Sequence, residues 1–344
     1  MTSFIQLHLL TSYPPANLNR DDSNQPKSAT LGGVLRARVS SQSLKRAWRT
    51  SETFAIPLAG HVGTRTKRLA EDLMKRLVTA GKDEKEARKT ATAVAEVFAT
   101  VDKDKAPFTS QLVHLSPTEI AAIDALAARL VAGENVDPNK ESLLGGAESA
   151  ADIAMFGRML ADKPSNSVEA AAQVAHAITT HRVTIEDDYF TAVDDLKPRE
   201  EDAGAGHVGE QEFVAGLFYL YLCIDRDLLL KNLGGDEALA HTALRALTES
   251  SVKVGPKGKQ ASFASRAYAS FALAERGSQQ PRGLSVAFLK PVAGDDLLKK
   301  SIEGLERTCG DMDKVYGACA DDRYSFDVLS GKGTLAGLLD FVGR

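Results

Sequence analysis

A change of hydrophobic period within residues 32–50 constrains the fold more than any other feature of the chain. From Val34 to Val39 successive residues alternate between two faces, which is the period of a half-buried strand. After Ser40 the period becomes helical, with apolar residues at Leu44, Ala47 and Trp48. The sequence therefore predicts a strand that leads directly into a helix, with the serines at the junction as its N-cap.

The opposite face of this predicted helix is basic. It carries Gln42, Lys45, Arg46 and Arg49. The free N–H groups at the helix start and the hydroxyls of Ser40 and Ser41 can bind a phosphate, and the basic side chains can neutralise the phosphates that follow. The alternative is an ordinary solvated amphipathic helix, because charged residues are usual on outer faces.

Charge is distributed unevenly along the chain. The 344 residues carry a net charge of −4, whereas residues 1–50 hold seven Lys or Arg and two Asp, a net charge of +5. The other residues therefore carry −9. A basic end on an acidic protein favours a localised site for a polyanion.

The rest of the chain predicts an α+β fold with a large helical insertion. Strands are expected at Phe4–Thr11 and, as a nearly all-apolar central strand, at Phe213–Ile224. A polar loop at residues 12–29 contains Arg20 and Lys27. Helical periods within the insertion fall at Arg65–Thr79, Glu84–Val101, Pro117–Val131, Ala150–Leu160 and Val168–Thr179.

After the insertion the pattern becomes mixed. Residues 182–185 are expected to form a strand, and residues 189–209 an exposed acidic segment. Further helices are predicted at Asp236–Ser250, Asp296–Gly317 and Thr334–Val342, and further strands at Tyr268–Ala274 and Leu284–Leu289.

Several short motifs lack the context that their chemistry requires. Gly204–Gly209 spells a dinucleotide fingerprint, but no apolar strand precedes it and no helix follows, so we expect a flexible loop. Lys257 and Lys259 lie in a glycine-containing turn that could contact phosphate or be a plain surface loop. The histidines and the three cysteines have no metal-ligand or disulfide spacing, so we expect no cofactor. Without a signal peptide or a membrane span, we expect a cytoplasmic protein.

An ordered set of segments closely resembles the CasC family, the repeated backbone subunit of the type I-E CRISPR Cascade complex in prokaryotes. These segments are Asn17–Asp22, Gly32–Gly33, Ser40–Arg46, Ile178–His181, Phe190–Leu196 and Gly209–Phe213. The resemblance is dense up to about residue 235 and sparse after Gly258.

The resemblance implies an RRM-like or ferredoxin-like palm with two insertions. The palm would comprise residues 1–56, the strand at 181–188 and residues 212–344. The helical fingers would be residues 57–180, and the thumb residues 189–211.

The resemblance also implies a non-catalytic scaffold. Copies would join head to tail along one CRISPR RNA, with other Cascade subunits, and present the guide for pairing with target DNA in antiviral defence. The implied RNA-binding residues are Arg20, Lys27, Ser40, Ser41, Gln42, Lys45, Arg46, Arg49, Met155, Tyr189, Phe190, Thr191 and Lys259. For Tyr189–Phe190 and Met155–Phe156, which would wedge a base apart, burial in a core is the alternative.

Two other functions remain open from the residues alone. The first is a metal-dependent RNase. Asp21 and Asp22 are the carboxylates of the basic region, and related type III backbone subunits use a palm-loop aspartate to cut RNA. In the alternative without catalysis, the aspartates pair with Arg20 or hold the loop. A general single-strand RNA-binding module is the other function.

Overall fold

The computed structural model describes residues 3–344 except 103, 106, 161 and 193–206. Its strands are β1 (Phe4–Ala16), β2 (Ser28–Leu31), β3 (Val34–Val39), β4 (Thr64–Thr66), β5 (Val113–Leu115), β6 (Ala172–Val174), β7 (Ala177–Thr179), β8 (Glu186–Ala192), β9 (His207–Asp225), β10 (Ala269–Gly277) and β11 (Asp322–Asp327). Its α-helices are α1 (Ser41–Arg49), α2 (Glu52–Ala55), α3 (Leu69–Thr79), α4 (Glu84–Phe98), α5 (Pro117–Val131), α6 (Ala151–Phe156), α7 (Arg226–Asn232), α8 (Glu237–Lys253), α9 (Gln260–Phe263), α10 (Leu297–Tyr316) and α11 (Leu335–Gly343). Short 3-10 helices occur at Pro138–Lys140, Pro164–Asn166 and Ser285–Phe288.

One mainly antiparallel sheet forms the centre of the mixed α+β structure. Its strand order is β11-β10-β1-β9-β7-β3-β2, and β6 and β8 pair with β9 off this path. At the centre, Leu7 of β1 lies opposite Leu222 of β9 and Ala274 of β10. The predicted strands at Phe4–Thr11 and Phe213–Ile224 are confirmed and prove longer. Both are covered on two faces, which explains their near-continuous apolar runs.

Helices cover the two faces of this sheet with separate cores. On one face, α1 and α8 pack against β1, and the Nε1 of the fully buried Trp48 donates to the carbonyl of Val254 at 3.0 Å. On the other face, Leu305 of α10 packs with Leu10 and Phe271. The helix predicted after Ser40 is thus confirmed, and its apolar stripe lies on the main core.

The helical region has a third core of its own, built from α3, α4 and α5 with the small β4–β5 sheet. The predicted helices at Glu84–Val101 and Pro117–Val131 are confirmed within three residues. The helix predicted from Arg65 begins later, because Thr64–Thr66 pairs with β5. The helix predicted at Ala150–Leu160 shortens to α6, which packs on the main core instead.

Three other predictions are wrong. Residues 168–179 form β6 and β7 rather than a helix, because β9 offers a strand to pair with and sheet hydrogen bonds override the helix propensity of alanine. Ser285–Phe288 forms a 3-10 helix instead of the strand predicted at Leu284–Leu289, and the side chains of Leu284 and Phe288 at its two ends are buried. Residues 182–185 form no described strand. The predicted polar loop at 12–29 is also shorter, because β1 runs to Ala16 and β2 begins at Ser28.

A hairpin extends from the sheet where β8 pairs with the first part of β9. The register runs from Glu186 opposite Phe213 to Ala192 opposite His207. The β8 side chains are mostly exposed, as predicted for this segment. Of the predicted flexible loop at Gly204–Gly209, residues 204–206 lie outside the described residues, and Gly209 belongs to β9.

Candidate nucleic-acid interface

The turn between β3 and α1 is the start of the candidate interface. Ser40 has extended backbone (φ −70°, ψ 144°), and its hydroxyl accepts a hydrogen bond from the Ser43 N–H at 3.4 Å, which confirms the predicted N-cap. The Ser40 N–H donates to Asn19 Oδ1 at 2.8 Å and fixes the preceding loop beside the helix. The first turn of α1, all of it described, carries no acidic residue, so the positive end of the helix dipole stays available to an anion.

The outer part of the basic face consists of Gln42, Lys45 and Arg46. Gln42 and Arg46 are exposed, and Ser41 beside them is half-buried. Lys45 is also half-buried: its Nζ lies 5.7 Å from the centre of the Phe156 ring, and burial lowers the pKa of its ammonium group. Arg46 is therefore the α1 cation most open to phosphate.

Arg49 turns inward instead. Its Nη1 lies 3.3 Å from Asp152 Oδ2 and donates to the Gly63 carbonyl at 3.2 Å. The buried Asp152 also accepts from His114 Nε2 at 2.9 Å and from the Gly63 N–H at 2.8 Å. Burial alone would raise the pKa of Asp152, but these hydrogen bonds and the nearby charges of His114 and Arg49 hold it below its usual value. Arg49 is thus committed to a structural ion pair.

A groove of about 350 Å³ joins three separate parts of the chain. Residues 18–21 and 24 form one wall, the outer side of α1 forms another, and Lys257–Gly258 closes it. Arg20, Arg46 and Lys257 all line this groove, and none of them forms an ion pair with a described carboxylate. Lys257 Nζ donates to Thr50, at 3.2 Å to its hydroxyl and 3.3 Å to its carbonyl, and to no other described residue. The groove therefore presents three cations to a ligand.

The loop that carries Arg20 is shaped by Asp21. Its Oδ1 accepts from the N–H groups of Ser23 and Gln25, each at 2.9 Å, and Asn24 adopts a left-handed conformation (φ 66°). This is an Asx-type turn. Asp21 thus holds the loop, as one alternative predicted, and Asp22 is exposed next to it. Among the described residues no cluster of three His, Cys, Asp or Glu could hold a metal ion.

Lys27 and Lys259 lie at the two sides of this region, and both are partly exposed. The Lys27 N–H donates to the Asn19 carbonyl at 2.8 Å. Near Lys27, Arg38 Nη1 lies 2.6 Å from His176 Nδ1; burial, and then the charges of Arg38 and Lys27, lower the pKa of His176. Because a guanidinium can only donate, His176 Nδ1 accepts this hydrogen bond from Arg38. The sequence indicated Arg38 only as part of a strand.

Not every cation of the basic end is available. Arg36 is fully buried, and its guanidinium donates to the carbonyls of Thr179 at 3.0 Å and Phe288 at 2.8 Å. With Arg49 held by Asp152, two of the seven cations in residues 1–50 are structural. The local charge excess in the sequence therefore overstates the number of cations that this region offers to a ligand.

Met155 is wrongly predicted as an RNA-binding residue. It is fully buried on α6 among main-core residues, so it cannot contact a base. Met159, three residues after the helix ends, has 86% of its surface exposed. The helical period in the sequence continues to Leu160 and gives no sign of this exposure, because the helix ends at Gly157 (φ 76°).

The aromatic pair lies on the exposed hairpin. Tyr189 is 62% exposed, Phe190 is 42% exposed and Thr191 is exposed. Phe190 lies opposite Gly209, where an added Cβ would come within 2.4 Å of its ring, so the glycine makes room for the aromatic side chain.

The base of the hairpin contacts the loop that carries Arg20. Asn17 Nδ2 donates to the Glu212 carbonyl at 2.9 Å, and Gln25 Nε2 donates to Glu212 Oε1 at 2.7 Å. The hairpin and the groove are therefore one continuous region.

Residues 5–335 match the model of the CT1975-like protein family. The chain belongs to this family. A chain of a "CRISPR RNA-guided surveillance complex, pre-nicking" is similar to it with 30% identity, a TM-score of 0.82 and 99% of each chain covered. A chain of another "CRISPR RNA-guided surveillance complex" is similar with 25% identity, a TM-score of 0.63 and 98% of each chain covered. No curated protein matches. The predicted resemblance to CasC is confirmed.

The similarity of this CT1975-like protein to both solved chains includes the region after residue 258, where its sequence motifs are sparse. That region supplies β10, β11 and α10 to the sheet and its second face. Across the described part of the protein, no helix is long and apolar enough to cross a lipid bilayer.

Proposed function

We propose that this CT1975-like protein is a subunit of a CRISPR RNA-guided surveillance complex and binds the guide RNA as a non-catalytic backbone. The observation that carries the proposal is the groove in which Arg20, Arg46 and Lys257 meet. It lies in a chain that is similar, over 99% of its length, to a chain of such a complex. Cations without carboxylate partners are what a phosphate backbone requires.

The strand order supports a palm of the ferredoxin-like kind. The elements β1, α1, β7, β9, α8 and β10 follow the βαββαβ order, and the strands lie side by side as β10-β1-β9-β7. The separate core of α3, α4 and α5 suits the fingers, and the β8–β9 hairpin suits the thumb. Because β6 and β7 join the sheet, the fingers would end before Ala172 rather than at residue 180.

The RNA backbone would follow the groove from the loop at Arg20 across α1 to Lys257, with Lys27, Lys45 and Lys259 beside its path. The N–H groups at the start of α1, with Ser41 and Gln42, would bind one phosphate directly. Such contacts carry no sequence information, so any guide would be accepted. The base edges would remain free to pair with target DNA.

The hairpin would act on the bases. Tyr189, Phe190 and Thr191 present aromatic and apolar surface without a base-specific hydrogen-bond pattern, which suits stacking on any displaced base. The exposed Met159 replaces Met155 as the apolar side chain from the fingers. Each copy would wedge the strand at one position.

Several copies would bind in succession along one guide. A thumb on one side and a palm and fingers on another make a head-to-tail contact possible, and such heterologous contacts build open filaments. In a type I-E complex this filament would join other Cascade subunits in antiviral defence.

Sequencing the RNA that co-purifies with the protein from its own host tests the proposal. We expect discrete short RNAs that contain CRISPR repeat sequence. Purification with mixed cellular RNA would favour a general single-strand RNA-binding module instead. Purification without RNA, together with failure to bind a synthetic guide, would contradict both.

A further inference from the structure

A second and larger cavity continues from the basic groove. Its volume is about 1010 Å³, and it shares Thr50 and Lys257 with the groove. It is lined by residues 50–53, 253–257, 260 and 265–268. The groove and the cavity therefore meet at Thr50 and Lys257.

The walls of the cavity combine one exposed aromatic ring with small apolar groups. Tyr268, directly before β10, is 66% exposed although it lines the cavity. Val254, Pro256 and Ala267 supply apolar surface around it. An aromatic face beside apolar walls suits a planar ring better than it suits a phosphate.

The charge of the cavity is positive at its rim. Arg266 is exposed, and its guanidinium makes no hydrogen bond or ion pair with any described residue. Lys253 is paired with Glu249 at 2.6 Å, which offsets its charge. Among the described residues that line the cavity, Glu52 alone carries a carboxylate. Arg266 and Lys257 therefore line the same cavity as Tyr268, and neither has a carboxylate partner among the described residues.

The backbone around the cavity is held in an uncommon conformation. Lys259 (φ 50°) and Ala264 (φ 47°) are both left-handed without being glycine, and they flank α9. Hydrogen bonds from Gln260 Nε2 to the Pro256 carbonyl at 2.9 Å and to the Ser265 hydroxyl at 3.2 Å hold this segment. Such conformations persist where the surrounding structure fixes them, and they are frequent at ligand sites.

We propose that this cavity binds one base of the single-stranded RNA, stacked on Tyr268, with Arg266 and Lys257 on the phosphates at either side. The inference rests on the proposed function and adds a base site on the palm itself, separate from the hairpin. An adjacent copy of the protein is the rival occupant. The continuity with the groove and the two unpaired cations favour RNA.

Binding of a fluorescein-labelled single-stranded RNA of mixed sequence, measured by anisotropy over a range of KCl concentrations, tests the site. Tyr268→Ala should weaken binding about 5- to 150-fold, with an unchanged salt slope because stacking neutralises no phosphate. Tyr268→Phe should bind as the parent protein does. Arg266→Gln should make the slope shallower by about one counterion.

Tyr316→Ala is the matched control, since Tyr316 is 79% exposed at the end of α10 and lines neither cavity. It should leave RNA binding unchanged, and every variant should keep the parental melting temperature. A photocrosslink from 4-thiouridine RNA to the peptide that contains Tyr268 would support the site directly.

The outcomes separate this inference from the proposed function. If Arg46→Gln weakens RNA binding and Tyr268→Ala does not, the backbone proposal stands and the base site is wrong. If Tyr268→Ala impairs only self-association, the occupant is a second copy and the base site is again wrong. If the parent protein binds no RNA, both proposals fail.

Discussion

Arg49 and Asp152 form an ion pair, with Nη1 3.3 Å from Oδ2, that joins α1 to α6 beneath the basic face. The carboxylate is fully buried and also accepts hydrogen bonds from His114 and from the Gly63 N–H. A residue that looks like a phosphate ligand on a helical wheel is thus part of the framework. Its neighbour Arg46 is instead exposed and lines the groove.

Arg49 and Arg46 should therefore respond differently to substitution. Arg49→Ala should lower the free energy of unfolding by about 3 kcal/mol, because it leaves a buried carboxylate with fewer partners. Arg46→Gln should change stability by less than about 0.5 kcal/mol and make the salt dependence of RNA binding shallower by about one counterion. Urea unfolding and anisotropy titrations measure the two effects. Equal loss of salt dependence in both variants would contradict the division.

Substitutions of the two loop aspartates, Asp21 and Asp22, should also have different effects. Asp21→Ala removes the acceptor of two N–H groups and should weaken RNA binding, whereas Asp22→Ala should not. With Mg²⁺ or Mn²⁺ and a guide RNA, the parent protein should leave a complementary RNA intact, as assayed by gel electrophoresis. Metal-dependent cleavage that disappears in Asp22→Ala would instead establish an RNase.

The two methionines near α6 provide a matched pair. Met155→Ala should cost about 2–5 kcal/mol of stability, because it opens a cavity in the main core. Met159→Ala should leave the melting temperature unchanged, because its side chain is 86% exposed. Under the proposed contact with a base, it should weaken assembly on RNA. Thermal unfolding and size-exclusion chromatography distinguish them. A lower melting temperature for Met159→Ala would place that side chain in the framework.

The hairpin should matter for assembly more than for folding. Replacing Tyr189 and Phe190 by alanine should remove stacking worth ~1–3 kcal/mol per base at every copy along the guide, so RNA-dependent assembly should fall sharply in size-exclusion chromatography. The melting temperature of the monomer should stay nearly constant. Gly209→Val should have the same effect, because its added side chain displaces the Phe190 ring. Normal assembly by a variant that melts lower would place the pair in a core.

Acid should destabilise the protein through Glu275. This buried carboxylate accepts from Arg282 at 2.6 and 3.0 Å, from Arg323 at 2.7 Å and from His8 at 3.1 Å. Burial opposes its ionisation, but these partners hold the pKa of Glu275 well below its usual value. The contribution of Glu275 to the free energy of unfolding is therefore complete above about pH 5 and is lost as the pH falls below about 4.

Glu275→Gln tests this argument by urea unfolding between pH 3 and pH 7. The variant should be less stable by about 3–5 kcal/mol at pH 7, because two arginines lose a buried partner, and its acid limb should be flatter. Asp152 retains a smaller acid dependence. Burial lowers the pKa of His8. In the parent protein and in the variant, the contribution of His8 to the free energy of unfolding therefore begins to fall below about pH 6.5. An identical pH dependence would contradict the role of Glu275.

The sequence predicted most accurately the structural elements whose signals come from residues close together in the chain. The change of period at Ser40 predicted β3, the N-cap and α1 correctly, because strand alternation, capping and helical spacing are all local. The sequence did not predict β6 and β7, which pair with residues of β9 from Phe218 to Ile224 that come much later in the chain. An alanine-rich segment has no local signal for that partner.

The sequence indicated which residue types lie in the candidate site, but not which way their side chains point. Spacing placed Arg46 and Arg49 on one face, yet only the partner at Asp152, on another helix, decides that Arg49 points inward. The same limit applies to Met155 and Met159, since Gly157 ends the helix between them. The contribution of Lys257 to the groove required the tertiary structure as well.

The 19-residue strand β9 runs without interruption from the exposed hairpin to the middle of the sheet. Along its inner part it pairs with β1 at eleven positions, from Val214 to Asp225. A force applied to the hairpin along β9 would therefore load many β1–β9 hydrogen bonds in shear at the same time, instead of bending the chain at a hinge. In the proposed head-to-tail assembly, tension along the bound RNA would therefore reach the central sheet of each copy, and the spacing between neighbouring copies would depend on the stiffness of β9.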